Sequence, residues 1–123
     1  MKSTGHKLEA LRCAIKVATE GYRLVRTEYK GADIFASHGP DNLPQSVAIE
    51  VQMRARHALA NVYRDLGNGC SMVINIAPDE PVKARILRQL DKLDPDLRSQ
   101  VLVLSTQEFH ETPLFKLVNA DIM

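Results

Sequence analysis

Two acids and an amide carry the most direct chemistry this sequence can offer. Asp33 follows Gly31-Ala32, while Glu50 and Gln52 stand in the run Ser46-Val-Ala-Ile-Glu-Val-Gln-Met53, which reads as a β-strand. Residues two apart on a strand share a face, so Glu50 and Gln52 project together and Ile49 and Val51 point the other way. A carboxylate set among Val, Ala and Ile is costly unless it is paired or coordinated, which makes Glu50 the least ordinary of the three. If the strand opened by Asp33 pairs with the strand of Glu50, two carboxylates converge at one sheet edge. They are hard oxygen ligands suited to Mg²⁺, with Mn²⁺ as the alternative.

Positioning such a pair takes a sheet and the helices that cover it. Leu8, Leu11, Ile15 and Ala18 recur at three- and four-residue intervals and predict a buried stripe on a first helix, from about Thr4 to Glu20, with Ser3 or Thr4 as its cap and Gly21 at its end. Tyr22–Glu28 and Asp33–Ala36 read as two strands joined at Lys30-Gly31, a hairpin. Gly39-Pro-Asp-Asn-Leu-Pro44 is a cluster of turn formers and reads as an exposed loop. After the strand of Glu50, Ala55, Leu59, Val62 and Leu66 predict a second helix closed by Gly67-Asn-Gly69. Met72–Ala77 is a nearly unbroken apolar run, as in the interior of a mixed or parallel sheet. Asp79 and Pro81 open a third helix with the stripe Val82, Ile86, Leu90 and Leu93; Val101–Leu104 is a fifth strand, and Ser105-Thr-Gln-Glu108 a capping box before a short terminal helix. The fold class is α/β, a three-layer sandwich with helices on both faces of a central mixed sheet, in one domain over residues 1–123.

At this point the residues resemble a family. Gly31-Ala32-Asp33, a loop and then Ile49-Glu50-Val51-Gln52 is similar to the PD-(D/E)xK nuclease pattern of archaeal Holliday-junction resolvases, many restriction endonucleases and nuclease domains of mobile elements. The order αβββαβ followed by αβ resembles the restriction-endonuclease-like core, over residues 7 to 77 and more weakly to 104. Glu9 stands where the resolvase group often carries a glutamate in its first helix, and Glu20-Gly21-Tyr22 resembles its step into the first strand. Two positions depart from the pattern: Ala32 replaces the proline and Gln52 the lysine.

The resemblance implies metal-dependent phosphodiester hydrolysis of DNA. Asp33, Glu50 and the carbonyl of Val51 would hold the ion, Gln52 would position a water, and Glu9 would bind the metal through water or place a second ion. Arg54, two residues beyond Gln52, is a candidate displaced cation. The alternative is a catalytically inactive domain of the same fold that binds DNA or a protein partner. His57, Asn61, Arg64 and Asp65 form a polar stripe on the second helix that either touches nucleic acid or is a solvated face with its own charge pairs, the more ordinary reading.

Charge bears on the partner. The 123 residues sum to only +1, yet residues 1–30 carry seven Lys or Arg against three acids and the remainder is net acidic. Lys7 in that basic front, with Arg54, Arg56, His57 and Asn61, is a candidate phosphate contact. With 5% aromatic residues and no Trp, a base-stacking platform is not expected, so the partner is duplex or branched DNA read by its backbone. Cutting two strands takes two sites, which a homodimer would supply. His6, His38 and His110 form no dyad with a nucleophile, and Cys13 and Cys70 read as small, partly buried residues without catalytic duty. Two cysteines make no disulfide framework, and no apolar run or signal-like N-terminus is present, so a reducing, cytoplasmic setting without membrane attachment is expected. A doubly wound nucleotide-binding fold is rejected because Met53-Arg-Ala-Arg-His57, after the third strand, lacks the glycines that cradle phosphates.

Overall fold

The structure, a computed structural model, describes residues 3–38 and 45–118; the expected loop over 39–44 lies outside them. Helix α1, Thr4–Thr19, is capped by the Ser3 hydroxyl, which accepts the His6 N–H, and it ends before Gly21 at φ 100°. Strands β1, Leu24–Tyr29, and β2, Ala32–His38, are joined by Lys30-Gly31, both at positive φ, the two-residue turn whose twist matches paired antiparallel strands. Strand β3, Gln45–Val51, leads through a 3₁₀ turn at Ala55–His57 into α2, Ala58–Gly67. Then follow β4, Met72–Ala77; α3, Glu80–Leu90; α4, Pro95–Arg98; β5, Val101–Ser105; α5, Thr106–Glu111; and α6, Leu114–Val118. The caps expected at Asp79 and Ser105 form, the second as a full capping box with Glu108.

The five strands lie in chain order in one mixed sheet. β1, β2 and β3 pair antiparallel, whereas β3, β4 and β5 pair parallel, with Glu50 beside Asn75 in the register. Helices cover both faces. On one, Ala58 and Val62 of α2 and Val82, Ile86 and Leu90 of α3 pack against Ala48, Val73 and Val103. On the other, Cys13 and Val17 of α1, Phe109 of α5 and Leu114 of α6 pack against Ile34, Ile49, Ile74 and Ile76. Each large aliphatic side chain removed from water contributes about 1.5–3 kcal/mol. No helix among the described residues is long and apolar enough to cross a membrane.

The stripe of the first helix is not buried. Leu8, Leu11 and Ile15 are 57%, 54% and 58% exposed, and α1 instead turns Ala10, Cys13, Ala14 and Val17 toward the sheet. The small residues allow close approach, and the same rotation carries His6 inward, where it is buried against Asp33. The second helix also starts later than its periodicity suggests, because Ala55 packs from within the 3₁₀ turn.

Candidate functional site

Asp33 and Glu50 reach the site from neighbouring strands. Asp33 lies opposite Glu28, which adopts φ 51°, and the β1–β2 ladder registers pairs on either side but not at that position. One carboxylate oxygen of Asp33, Oδ2, accepts the backbone N–H of Val51 at 2.8 Å and lies 3.2 Å from Nε2 of His6. Asp33 therefore ties β2 to the end of β3, beside Glu50, and brings the first helix to the same point.

Glu50 is 2% exposed and points to the α2 side of the sheet. Its Oε2 accepts from Nη2 of Arg64 at 2.6 Å; the same guanidinium donates to Asp65 Oδ1 at 3.2 Å and to Asn61 Oδ1 at 3.1 Å. One cation thus serves two acids. Burial, then a hydrogen bond and repulsion from Asp65, then repulsion from Asp33 hold the Glu50 carboxyl well above the usual carboxylate range, with Arg64 pulling the other way. Asp65 is 1% exposed, and among the described residues no N–H donor meets its buried Oδ2. Where the sequence reads as a solvated polar stripe, Asp65 instead turns inward and Arg64 bridges to the sheet. Gly31 leaves room for this bridge, since a Cβ there would stand 2.9 Å from Arg64 Cδ and Nε.

Gln52 shares the Glu50 face, as strand alternation requires. Its Nε2 donates to Oδ1 of Asn75 at 3.3 Å, which directs the amide nitrogen to β4. Asn75 is fully buried, and its Nδ2 finds no acceptor among the described residues. Asp33, Glu50, Gln52, Asn61 and Arg64 border one cleft of about 560 Å³, whose lining does not include Asp65 or Asn75. Of the sequence candidates, Asp33, Glu50, Val51, Gln52, Arg54, Arg56, His57 and Asn61 line it, together with His6 and Arg64.

Two candidates stand elsewhere. Glu9 lies one helical turn beyond His6 and turns away from the cleft, with Oε1 taken by Arg12 at 2.9 Å and Oε2 facing Cys13 and His110. Lys7 is exposed and borders an adjoining depression that shares His6 and Asp33 with the cleft. His6, expected only to form no dyad with a nucleophile, contacts Asp33 and lines the cleft. Asn75 carried no signal beyond being the polar residue of an apolar strand. The chain matches no family model, no curated protein and no solved structure.

Asp33 and Glu50 bring carboxylate oxygens, the ligand type of small hard cations, to the cleft beside the backbone of Val51, while Asp65 lies outside its lining. The rim is of opposite sign, with Arg54, Arg56 and Arg64 bordering the same cleft as the acids. A buried acidic floor under a cationic rim can take a cation and an anion together.

Proposed function

We propose that this chain is a metal-dependent phosphodiesterase acting on DNA, with a fold of the restriction-endonuclease-like kind. The observation that carries the reading is the convergence of Asp33, Glu50 and Gln52 on one cleft rimmed by arginines. The in-line sheet order with parallel β3, β4 and β5 supports the same reading.

Asp33, Glu50 and the Val51 carbonyl would hold Mg²⁺ or Mn²⁺, which supplies a bound water of lowered pKa and neutralises charge developing on the phosphate. The chain's own residues do the rest. Gln52 gives its N–H to Asn75, so its carbonyl oxygen is left to accept from a water and orient it, without taking a proton. Arg54, Arg56 and His57 face the cleft from the turn before α2, where they meet phosphate oxygens of either strand. Asn61 steadies Arg64, and Arg64 steadies Glu50.

A second reading keeps the fold and the DNA, or a protein partner, but not the cleavage. The 2.6 Å contact of Arg64 with Glu50 favours it, because a guanidinium can stand in for the metal's charge in a domain that only binds.

Purified protein incubated with plasmid, linear and four-way-junction DNA in Mg²⁺ or Mn²⁺ separates the two. Cleavage abolished in Glu50→Ala supports the enzyme. Binding without cleavage supports the second reading, and cleavage that persists in Glu50→Ala belongs to a contaminant.

A further inference from the structure

Outside the cleft, three unlike metal-ligand groups meet between the first and fifth helices. Glu9 and Cys13 are four residues apart and share one face of α1, and His110 comes to them from α5, 101 residues along the chain from Glu9. The carboxylate Oε2 of Glu9 lies 2.6 Å from His110 Nε2 and 3.3 Å from Cys13 Sγ, and the three donor atoms all fall within 4.8 Å of one another.

We propose that Glu9, Cys13 and His110 form a binding site for a borderline-soft divalent transition metal, Zn²⁺ above all, that fastens α5 to α1. A thiolate, an imidazole and a carboxylate are the three protein donors such an ion accepts, and a water completes a tetrahedron. Bonds of about 2.0 Å to nitrogen and oxygen and about 2.3 Å to sulfur set donor separations of roughly 3.3–3.6 Å. The Glu9–Cys13 spacing already meets this, and the Glu9–His110 spacing has to open by roughly 0.7 Å.

The surroundings suit a structural ion. Arg12 holds Oε1 of Glu9 and so presents Oε2 to the other two donors, the kind of outer hydrogen bond that orients a ligating carboxylate. Cys13 is fully buried, whereas Glu9 and His110 retain some exposure, which leaves an entry path on their side and keeps the thiol from reagents that need open access. α5 is set in place by the Ser105–Glu108 capping box, by Lys83 donating to Glu108 at 2.7 Å, and by Phe109 buried in the core beside His110. The ligands thus project from elements fixed by other contacts. On binding, the Cys13 S–H loses its proton to solvent as the metal–sulfur bond forms, His110 carries its ring proton on Nδ1 so that Nε2 is free to ligate, and no electron is transferred. The site is distinct from the Mg²⁺ proposal in residues and in donor type.

Co²⁺ added to chelator-stripped full-length protein is the test, because a thiolate–cobalt bond gives a near-ultraviolet charge-transfer band and a tetrahedral ion gives intense visible bands. One equivalent is expected to produce both, and Zn²⁺ to abolish them and raise Tm. Asp33→Asn and Cys70→Ser are expected to retain the bands, and Cys13→Ser to lose the charge-transfer band. His110→Gln, at a partly buried position, serves where Cys13→Ser does not fold, and is expected to weaken Co²⁺ binding at least tenfold, no less than loss of an outer-shell partner does. Absence of a charge-transfer band in the wild type, or its survival in Cys13→Ser or at full affinity in His110→Gln, overturns the proposal.

Discussion

Arg64 of α2 and Glu50 of β3 are joined at 2.6 Å across the helix–sheet interface, with a half-exposed guanidinium reaching a carboxylate that is almost wholly buried. The pair is unequal in company. Glu50 also faces Asp65 and Asp33, so the site holds more acid than its bridging cation neutralises. That excess underlies most of what can be measured.

Glu50→Gln is expected to stabilise the fold in a pH-dependent way. Below the ordinary carboxylate value near 4.5, Glu50 is protonated folded and unfolded, and it costs nothing. Above that value the unfolded chain loses the proton while the folded chain keeps it, so wild-type stability falls as pH rises toward the elevated folded value. Thermal melts at pH 4 and pH 8 should coincide for the two proteins at the lower pH, and the variant should melt a few degrees higher at the upper, about 1 kcal/mol in a domain of this size. Equal separation at both values refutes the shift.

Arg64→Ala removes the cation and leaves two buried acids facing each other. Breaking a fully buried pair costs about 3–5 kcal/mol, and the partial exposure of Arg64 reduces this to about 2 kcal/mol. Urea unfolding is expected to show the effect as a lower midpoint at unchanged slope. Gly31→Ala should cost about 1–2 kcal/mol in the same assay, since it strains a residue at φ 86° and pushes on the Arg64 side chain.

Asp33 separates structure from chemistry. Asp33→Asn retains an oxygen that accepts the Val51 N–H and is expected to fold while losing the proposed metal-dependent cleavage. Asp33→Ala leaves that N–H unpaired in the interior and should cost about 1–3 kcal/mol. Circular-dichroism melts beside a nicking assay report both quantities.

Arg54→Ala with Arg56→Ala should weaken DNA binding uniformly across sequences. In fluorescence anisotropy over a salt series, the slope of log affinity against log salt should fall by about 0.9 for each phosphate that the variant no longer neutralises. An unchanged slope would remove both residues from the proposed DNA interface.

The sheet is legible in the sequence because its signals are local. Alternation places Glu50 and Gln52 on one face, the nearly unbroken apolar run Met72–Ala77 marks a strand buried on both faces, and Lys30-Gly31 announces the hairpin turn. The faces of α1 are not, because leucines at helical spacing look like core, whereas this helix buries its smaller residues. Arg64 and Asp65 read as a solvated stripe because periodicity on a helix says nothing of an acid waiting on the strand beneath it. His6 and Asp33 are 27 residues apart on separate elements, so only the docking of α1 reveals the contact. Resemblance puts Glu9 in the cleft; the rotation of its helix sends it to His110 instead.

The inner side of α1 has a consequence for the distance between layers. Ala10, Cys13, Ala14 and Val17 act as thin shims, and their size sets how near the helix axis comes to β2. A bulky side chain at Ala14 would lift the helix like a wedge and draw His6 off Asp33 without altering a single residue of the cleft. In this protein the gauge of one helix–sheet gap governs whether the floor of the site keeps its histidine.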